Sequence, residues 1–324
     1  MSNEPAKSFG FSIRLRGLLK IAGFAACLTT MLGFLGQFFW ILDLFSHFRV
    51  QYLIGLVILS ILLLALRQHR TAILFMLFAC VNLVLLLPFY FGAHNPAPAG
   101  MPTMRAMLLN VNTRLGDPVK VKQLILDTDP DIIALEEISS RWITDLAWIS
   151  NSYPYSIAQP REDNFGIALF SKFPLADEKI VYIGNAEVPS ILATVINEKT
   201  SLRVIATHPL PPIGREYFDW RNDQLDHLPD YVSASMPQIL LGDLNATPWS
   251  YHFVRLLSRS GLKNSSIGRG IQPSWPNNNP LLRIPIDHFL HSADIEIVDR
   301  RTGADVSSDH YPVIVDFVIM NRGK

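Results

Sequence analysis

Residues Ile239 to Pro248 read ILLGDLNATP. Three aliphatic side chains, Ile239, Leu240 and Leu241, lead into Gly242, then Asp243, then Asn245. A strand that only fills a core has no use for a carboxylate and a carboxamide at its end, because a buried polar group costs free energy unless it is bonded. The pattern predicts a strand that carries two polar groups to an edge, where they hold something. Thr247 and Pro248 then read as the start of a helix running on over 249–257.

The same ending recurs along the chain. Met104 to Asn112 (MRAMLLNVN) reads as a strand closed by Asn110 and Asn112, and Asp131 to Ile138 as one that runs into Glu136 and Glu137. Phe165 to Ser171 is another strand, and Ile191 to Ile196 and Ser201 to His208 form a hairpin joined by NEKT and ending on His208. Asp287 and His288 sit in IPIDHFLHS, and Asp309 and His310 in SSDHYP, just before the strand VIVDFVIM. Helical patterns cover 119–127, 141–150 and 214–228. One aspartate after a strand is usually a turn or cap, and one histidine is usually core or surface. Six such endings in one domain predict a rim where side chains from distant strands converge. Many buried strands with amphipathic helices between them pack as two sheets with helices outside.

The 324 residues are 49% hydrophobic, and the excess lies in the first 95 or so. Apolar runs cover Ile21–Phe45, Gln51–Leu66 and Thr71–Phe91. A bilayer core takes about 20 apolar residues as helix, so a transmembrane region is expected over 1–92, with spans near 21–45, 49–66 and 71–91. Asp43 falls close to the end of the first span and is expected at the interface. Lys7, Arg14, Arg16 and Lys20 precede that span, and Arg67 and Arg70 lie between the second and third. The positive-inside rule then places the N-terminus in the cytoplasm. Three crossings place the rest in the periplasm or outside the cell. Residues 93–103 read as a Pro/Gly/Ala linker and 104–320 as the outer domain. Both cysteines, Cys27 and Cys80, fall in the spans, so the outer domain needs its own core instead of disulfides. The first 100 residues hold seven Lys/Arg and two Asp/Glu, which leaves 21 basic and 26 acidic residues for the remainder. A net charge of −5 there disfavours a protein that tracks long nucleic acid and suits a site that concentrates a cation.

GDLN at Gly242–Asn245 and SDHYP at Ser308–Pro312, with DIIALEE, GIALFSKFPL, Thr207-His208 and Ile286-Asp287-His288 in order, resemble the endonuclease/exonuclease/phosphatase (DNase I-like) superfamily, in its membrane-anchored bacterial form. The resemblance spans about Met104 to Ile319. It implies an α+β fold, a four-layer α/β/β/α sandwich, and a Mg²⁺-dependent phosphoesterase, with Mn²⁺ as a substitute. By the same resemblance Glu137 holds the metal with Asn110 beside it, and Asp309 is a further carboxylate on the metal side. Asp243 and Asn245 position the attacking water and the phosphate. His310 contacts the phosphoryl oxygen, Asp287 orients it, and His208 is a proton donor to the leaving group. The chemistry is consistent: Mg²⁺ prefers oxygen ligands, and a histidine beside a carboxylate favours its cationic form.

Two positions depart from the pattern. Glu136 stands where the family often has glutamine, and Asn112 where some nucleases have an acid. Asn112, Arg221 and Trp275 are weaker candidates for substrate contact. Arg221 and Gln224, three apart on one helix face, fit a solvated face, and Trp275 fits loop packing as well as stacking on substrate. The expected substrates are phosphodiesters of nucleic acid or phospholipid type, the other expected partner is the bilayer, and no protein partner is implied. The rival reading is an inactive outer domain that binds a ligand or partner.

Overall fold

A computed structural model describes residues 6–92, 101–197, 200–233 and 235–320, with side chains from Arg14 onward. Most of the expected linker lies outside the described residues. The chain divides into two compact units, Met1–Pro88 and Phe89–Lys324.

The first unit holds α1 (Ala6–Leu32), α2 (Trp40–Ser46), α3 (Arg49–Ala65) and α4 (His69–Leu86). Arg14–Leu35 and His69–Phe89 are long and apolar enough to cross a membrane, and α2 with α3 would make a third span bent by 63°. The expected span over 21–45 is not one continuous helix. The first helix starts earlier and stops near Leu35, and α2 belongs with α3. Phe39 is extended at the break, and Gly36 allows a close approach, since a Cβ there would come within 3.0 Å of the Asp43 Cα and 3.2 Å of its Oδ1. Asp43 is fully buried among the helices, with its Oδ2 3.8 Å from His47 Nε2. Lys20 Nζ donates to Gln68 Oε1 at 2.8 Å, which brings the basic end of α1 beside the Arg67–Arg70 turn.

The second unit runs β1 (Met104–Asn110), α5 (Pro118–Thr128), β2 (Ile132–Glu136), α6 (Ser140–Asp145), β3 (Tyr155–Gln159), β4 (Ile167–Ser171), β5 (Leu175–Tyr182), β6 (Pro189–Asn197) and β7 (Thr200–Thr207). It continues with α7 (Arg215–His227), β8 (Gln238–Asp243), α8 (Tyr251–Ser260), β9 (Lys263–Asn264), β10 (Asp287–His291), β11 (Ile295–Thr302) and β12 (Val313–Ile319). The strands form two six-stranded sheets, β11-β12-β1-β2-β4-β3 and β5-β6-β7-β8-β10-β9.

Both faces of the central strands are covered, which is why their sequences are continuously apolar and do not alternate. On β1, Leu108 points between the sheets with Ala134, Val204 and Leu241, while Met107 and Leu109 pack outward with Val121 and Leu124 of α5 and Trp142 of α6. On β8, Leu241 faces the inner core and Leu240 packs with Leu225 of α7 and Phe253 of α8. Asp117 caps α5 by accepting from the Val119 and Lys120 amides, and Ser250 caps α8 through Phe253 N. Strands β3, β5 and β11 carry no strong apolar signal because they are edge or near-edge strands with partly exposed faces.

Register delivers the polar strand ends to one rim. Parallel pairing of β1 with β2 sets Asn110 beside Glu136, and antiparallel pairing of β8 with β10 sets Asp243 beside Asp287. Gly242 is required where β8 leaves β7: a Cβ would lie 1.9 Å from the Thr207 carbonyl oxygen.

Candidate active site

The Asp243 carboxylate stands at the middle of this rim. Its Oδ1 accepts from Asn245 N at 2.9 Å, and its Oδ2 lies 3.6 Å from His208 Nε2 and 3.7 Å from His310 Nε2. Asp287 Oδ2 contacts His310 Nδ1 at 2.9 Å. Asp243, Asp287 and His310 are buried, and each offers a ligand atom within 4.8 Å of the others. Burial works against a charge on His310, but the charge and hydrogen bond of Asp287, with Asp243 behind, raise it to about 10. Burial likewise opposes ionisation of Asp287, and His310 nevertheless holds it below the ordinary carboxylate range. Burial, with Asp287 close by, pushes Asp243 well above that range. The cation of His310 thus pairs with Asp287, and Asp243 is the carboxylate of the pair with the higher proton affinity.

Glu137 and Asn110 form the neighbouring group. Asn110 Nδ2 donates to Glu137 Oε1 at 3.0 Å, and Thr113 N donates to Oε2 at 3.2 Å. Burial raises the Glu137 carboxyl, and the donors bonded to it are neutral. Ser308 joins the two groups: its hydroxyl donates to the Asn110 carbonyl at 2.7 Å and accepts from His310 N at 3.1 Å. Glu137, Asn112 and Asn245 have positive φ of 59°, 54° and 49°. A left-handed backbone costs a non-glycine residue roughly 1–2 kcal/mol, and such strain clusters at functional sites.

Asp309 is brought to the site, but both its oxygens already accept, Oδ1 from Asn112 Nδ2 at 2.8 Å and Oδ2 from Trp275 Nε1 at 3.1 Å. Trp275 lies with its ring 6.3 Å from that of His310. Asn245 Nδ2 donates to the Pro209 carbonyl at 2.9 Å, which ties the loop after His208 to the site. Burial, with His310 adding to it, lowers His208 to about 3, so its imidazole is neutral. Arg221 is a correction. It is not on a solvated face: it is buried, and its Nη1 donates to the Asn245 carbonyl at 2.8 Å. Gln224 is buried too, donating to Thr207 Oγ1 at 3.0 Å. A polar helix face can pack on the polar backs of site loops, which periodicity does not reveal.

The description "Endonuclease/Exonuclease/phosphatase family" matches residues 107–310. The chain belongs to this family. Solved structures with similar folds include the endonuclease/exonuclease/phosphatase from Beutenbergia cavernae, at 19% identity over 67% of this chain and 72% of that one, TM-score 0.55. The human nocturnin catalytic domain with bound sulfate anion has 20% identity over 68% and 96% of the chains, TM-score 0.53. D. rerio TDP2 complexed with single strand DNA product has 16% identity over 66% and 98%, TM-score 0.56. Likeness at these identities concerns the fold. Among curated proteins, none matches the chain.

Endonuclease/exonuclease/phosphatase proteins generally depend on a divalent metal, and the residues here fit one. Glu137 and Asn110 carry hard oxygen donors, which here accept from Asn110 Nδ2, Thr113 N and Asn112 N, and two or so protein ligands suffice for an ion that keeps its waters. The Asp243–Asp287–His310 group is the poorer cradle, since a protonated imidazole has no lone pair to give.

Glu136 faces inward. It is fully buried, and both its oxygens lie within 3.2 Å of Asp243 N, so a side chain of one sheet holds the other sheet at the site. Burial, then Asp243 and Asp287, push it well above the carboxylate range. Glutamine supplies the same accepting oxygen. Glu136→Gln is expected to keep turnover within about threefold, and Glu136→Leu to lower kcat by about tenfold or more with the amide left unpaired. Steady-state kinetics on both variants checks this.

The raised histidine sets an alkaline limb of stability. A group with a raised folded pKa stabilises fully below its unfolded value, and that contribution is lost as pH rises through the folded one. For His310 the window is 6.5 to about 10. Asp243 and Glu136, also raised, act in the same direction. Metal-free protein is expected to melt at lower temperature at pH 9 than at pH 6.5, and His310→Asn to flatten this decline, as read by thermal denaturation across the window.

Proposed function

We propose that this chain is a divalent-metal-dependent phosphoric ester hydrolase, acting on phosphodiesters from the outer side of the cytoplasmic membrane. The carrying observation is the buried His310–Asp287 pair turned toward Asp243, with Glu137 and Asn110 one hydrogen-bonded step away through Ser308.

Each residue has a task that its surroundings explain. Asp243, held above the ordinary carboxylate range, is a stronger base than a surface aspartate and takes the proton of the attacking water. The His310 imidazolium faces a phosphoryl oxygen in a dry site, where a fixed cation stabilises developing negative charge. Asp287 keeps that cation charged and oriented. Asn245 spends one amide hydrogen on the Pro209 carbonyl and has the second for a non-bridging oxygen. The neutral His208 offers a ring N–H as a hydrogen bond to the leaving oxygen, which takes its proton from water. Asp309 orients Asn112 and Trp275, and Arg221 supports the Asn245 turn from below. Glu137 and Asn110 would hold the ion, Mg²⁺ with Mn²⁺ as a substitute. Bound there, the ion supplies charge neutralisation and a lowered pKa for water.

The apolar helices support membrane attachment. The junction of Lys20 with the Arg67–Arg70 turn puts the basic groups at one end of the helical unit, the end expected in the cytoplasm. The sulfate held by nocturnin and the DNA product held by TDP2 are anions of the kind such a site takes. The test is hydrolysis of bis-p-nitrophenyl phosphate by the full chain in detergent, stripped of metal and then given Mg²⁺. Turnover that appears only with the ion is expected. Turnover unaffected by chelation, or none with any divalent ion, contradicts the reading.

A further inference from the structure

From residue 101 onward, the four most exposed large apolar side chains among the described residues are Leu281 at 80%, Val119 at 75%, Ile213 at 69% and Leu115 at 60%. Single exposed aliphatics are ordinary on a protein surface. Leu115, Ile213 and Leu281 lie on loops next to strands that end at the site, and Val119 lies at the start of α5. Leu115 and Val119 come after β1, whose last residue is Asn110. Ile213 comes after β7 and His208. Leu281 and Leu282 stand near the tip of a hairpin closed by the pairing of Trp275 with Ile284.

Three of these loops are bonded directly to site residues. Asn112 Oδ1 accepts from Leu115 N at 3.1 Å. The Pro209 carbonyl accepts from Asn245 Nδ2. Asp309 accepts from Trp275 Nε1 through Oδ2, and its carbonyl from Asn277 N at 2.7 Å. The bases of all three loops are therefore anchored at the candidate active site, and each carries an exposed aliphatic side chain. Arg114 is exposed beside Leu115, and Arg283, next to Leu282, lies with its guanidinium 4.7 Å from the Tyr311 ring and donates to the Pro276 and Asn277 carbonyls.

We propose that this rim is a bilayer-docking surface, and that the phosphodiester taken by the site is the headgroup linkage of a phospholipid within a membrane. The proposal rests on the hydrolase reading above and names its substrate class. Separate aliphatic tips with arginines at their bases suit an acyl–headgroup boundary, where apolar side chains enter and cations stay with phosphate. A protein partner would instead call for a contiguous packed patch. A bilayer is also the occupant indicated by the two or three helices of the same chain long and apolar enough to span one.

The experiment uses the full chain reconstituted in phosphatidylcholine vesicles with about a quarter phosphatidylglycerol. Leu281→Cys, in a Cys27→Ala, Cys80→Ala background, carries an environment-sensitive fluorophore. Quenching by lipids brominated on the acyl chain is expected. Quenching by aqueous iodide alone overturns the docking surface. In a second arm, Ile213→Ser with Leu281→Ser and Leu282→Ser should lower the ratio of vesicle-headgroup release to bis-p-nitrophenyl phosphate turnover by about tenfold or more. An unchanged ratio, or diester turnover without any release from vesicles, overturns the lipid substrate. Failure to hydrolyse the soluble diester with Mg²⁺ removes the hydrolase instead, and the fluorophore still reports on the rim.

Discussion

His310→Ala is expected to lower kcat on a phosphodiester by about 10³-fold or more while the protein remains folded. The effect is large because the side chain does two things at once. It places a cation in a buried site, and it draws Asp287 into ionisation, which leaves Asp243 as the proton acceptor. Without the imidazole, two buried carboxyls face each other with no cation between them, and both move toward the neutral form. Binding contacts elsewhere on the rim remain, so KM should change far less than kcat. Asp287→Asn should show the same kind of loss at smaller size, about 10²-fold, because the ring remains but its charge does not. A fall in KM affinity with kcat intact would place His310 in binding and not in chemistry. Single-turnover kinetics with circular dichroism on the same samples separates these outcomes.

Glu137→Gln is expected to raise the Mg²⁺ concentration needed for half-maximal turnover by about 100-fold, with turnover at saturating ion also reduced. The amide nearly matches the carboxylate in shape, and Thr113 N can still find an oxygen acceptor. The negative charge is what is lost. Burial with neutral donors around it makes Glu137 a carboxylate whose ionisation calls for a cation. The variant should also lose the thermal stabilisation that Mg²⁺ gives to the unsubstituted chain, since an ion that binds only the folded state raises the melting temperature by mass action. Equal Mg²⁺ dependence of both melting temperature and turnover in the two proteins would move the ion away from Glu137.

The candidate rim was legible in the sequence for a physical reason. Buried strands are apolar on both faces, so a carboxylate or amide at the end of one stands out, and Asp243, Asp287, Glu137 and His310 all announce themselves this way. The residues that brace them do not. Ser308 bridges Asn110 and His310 with a hydroxyl common at any turn. Glu136 is one residue from Glu137, and only the strand's pleat shows that it points between the sheets toward Asp243 N. Arg221 read as solvated because its helix is polar, yet the face it lies on supports the Asn245 turn. The broken first apolar run was missed for a related reason: hydropathy counts residues, and the helix ends near Leu35, with an extended Phe39 before α2, without any loss of apolar character. Edge strands such as β3 and β5 carry mixed polarity, so their place in the sheets depends on neighbours far along the chain.

The most direct test is a crystal of the protein soaked in Mn²⁺ and measured for anomalous scattering. A single strong peak about 2.1 Å from a Glu137 carboxylate oxygen, on the side facing Asp243 and His310, is the expected result. A peak held by Asp243, Asp287 and His310 with Glu137 left out, or no peak anywhere on the rim, would contradict the account.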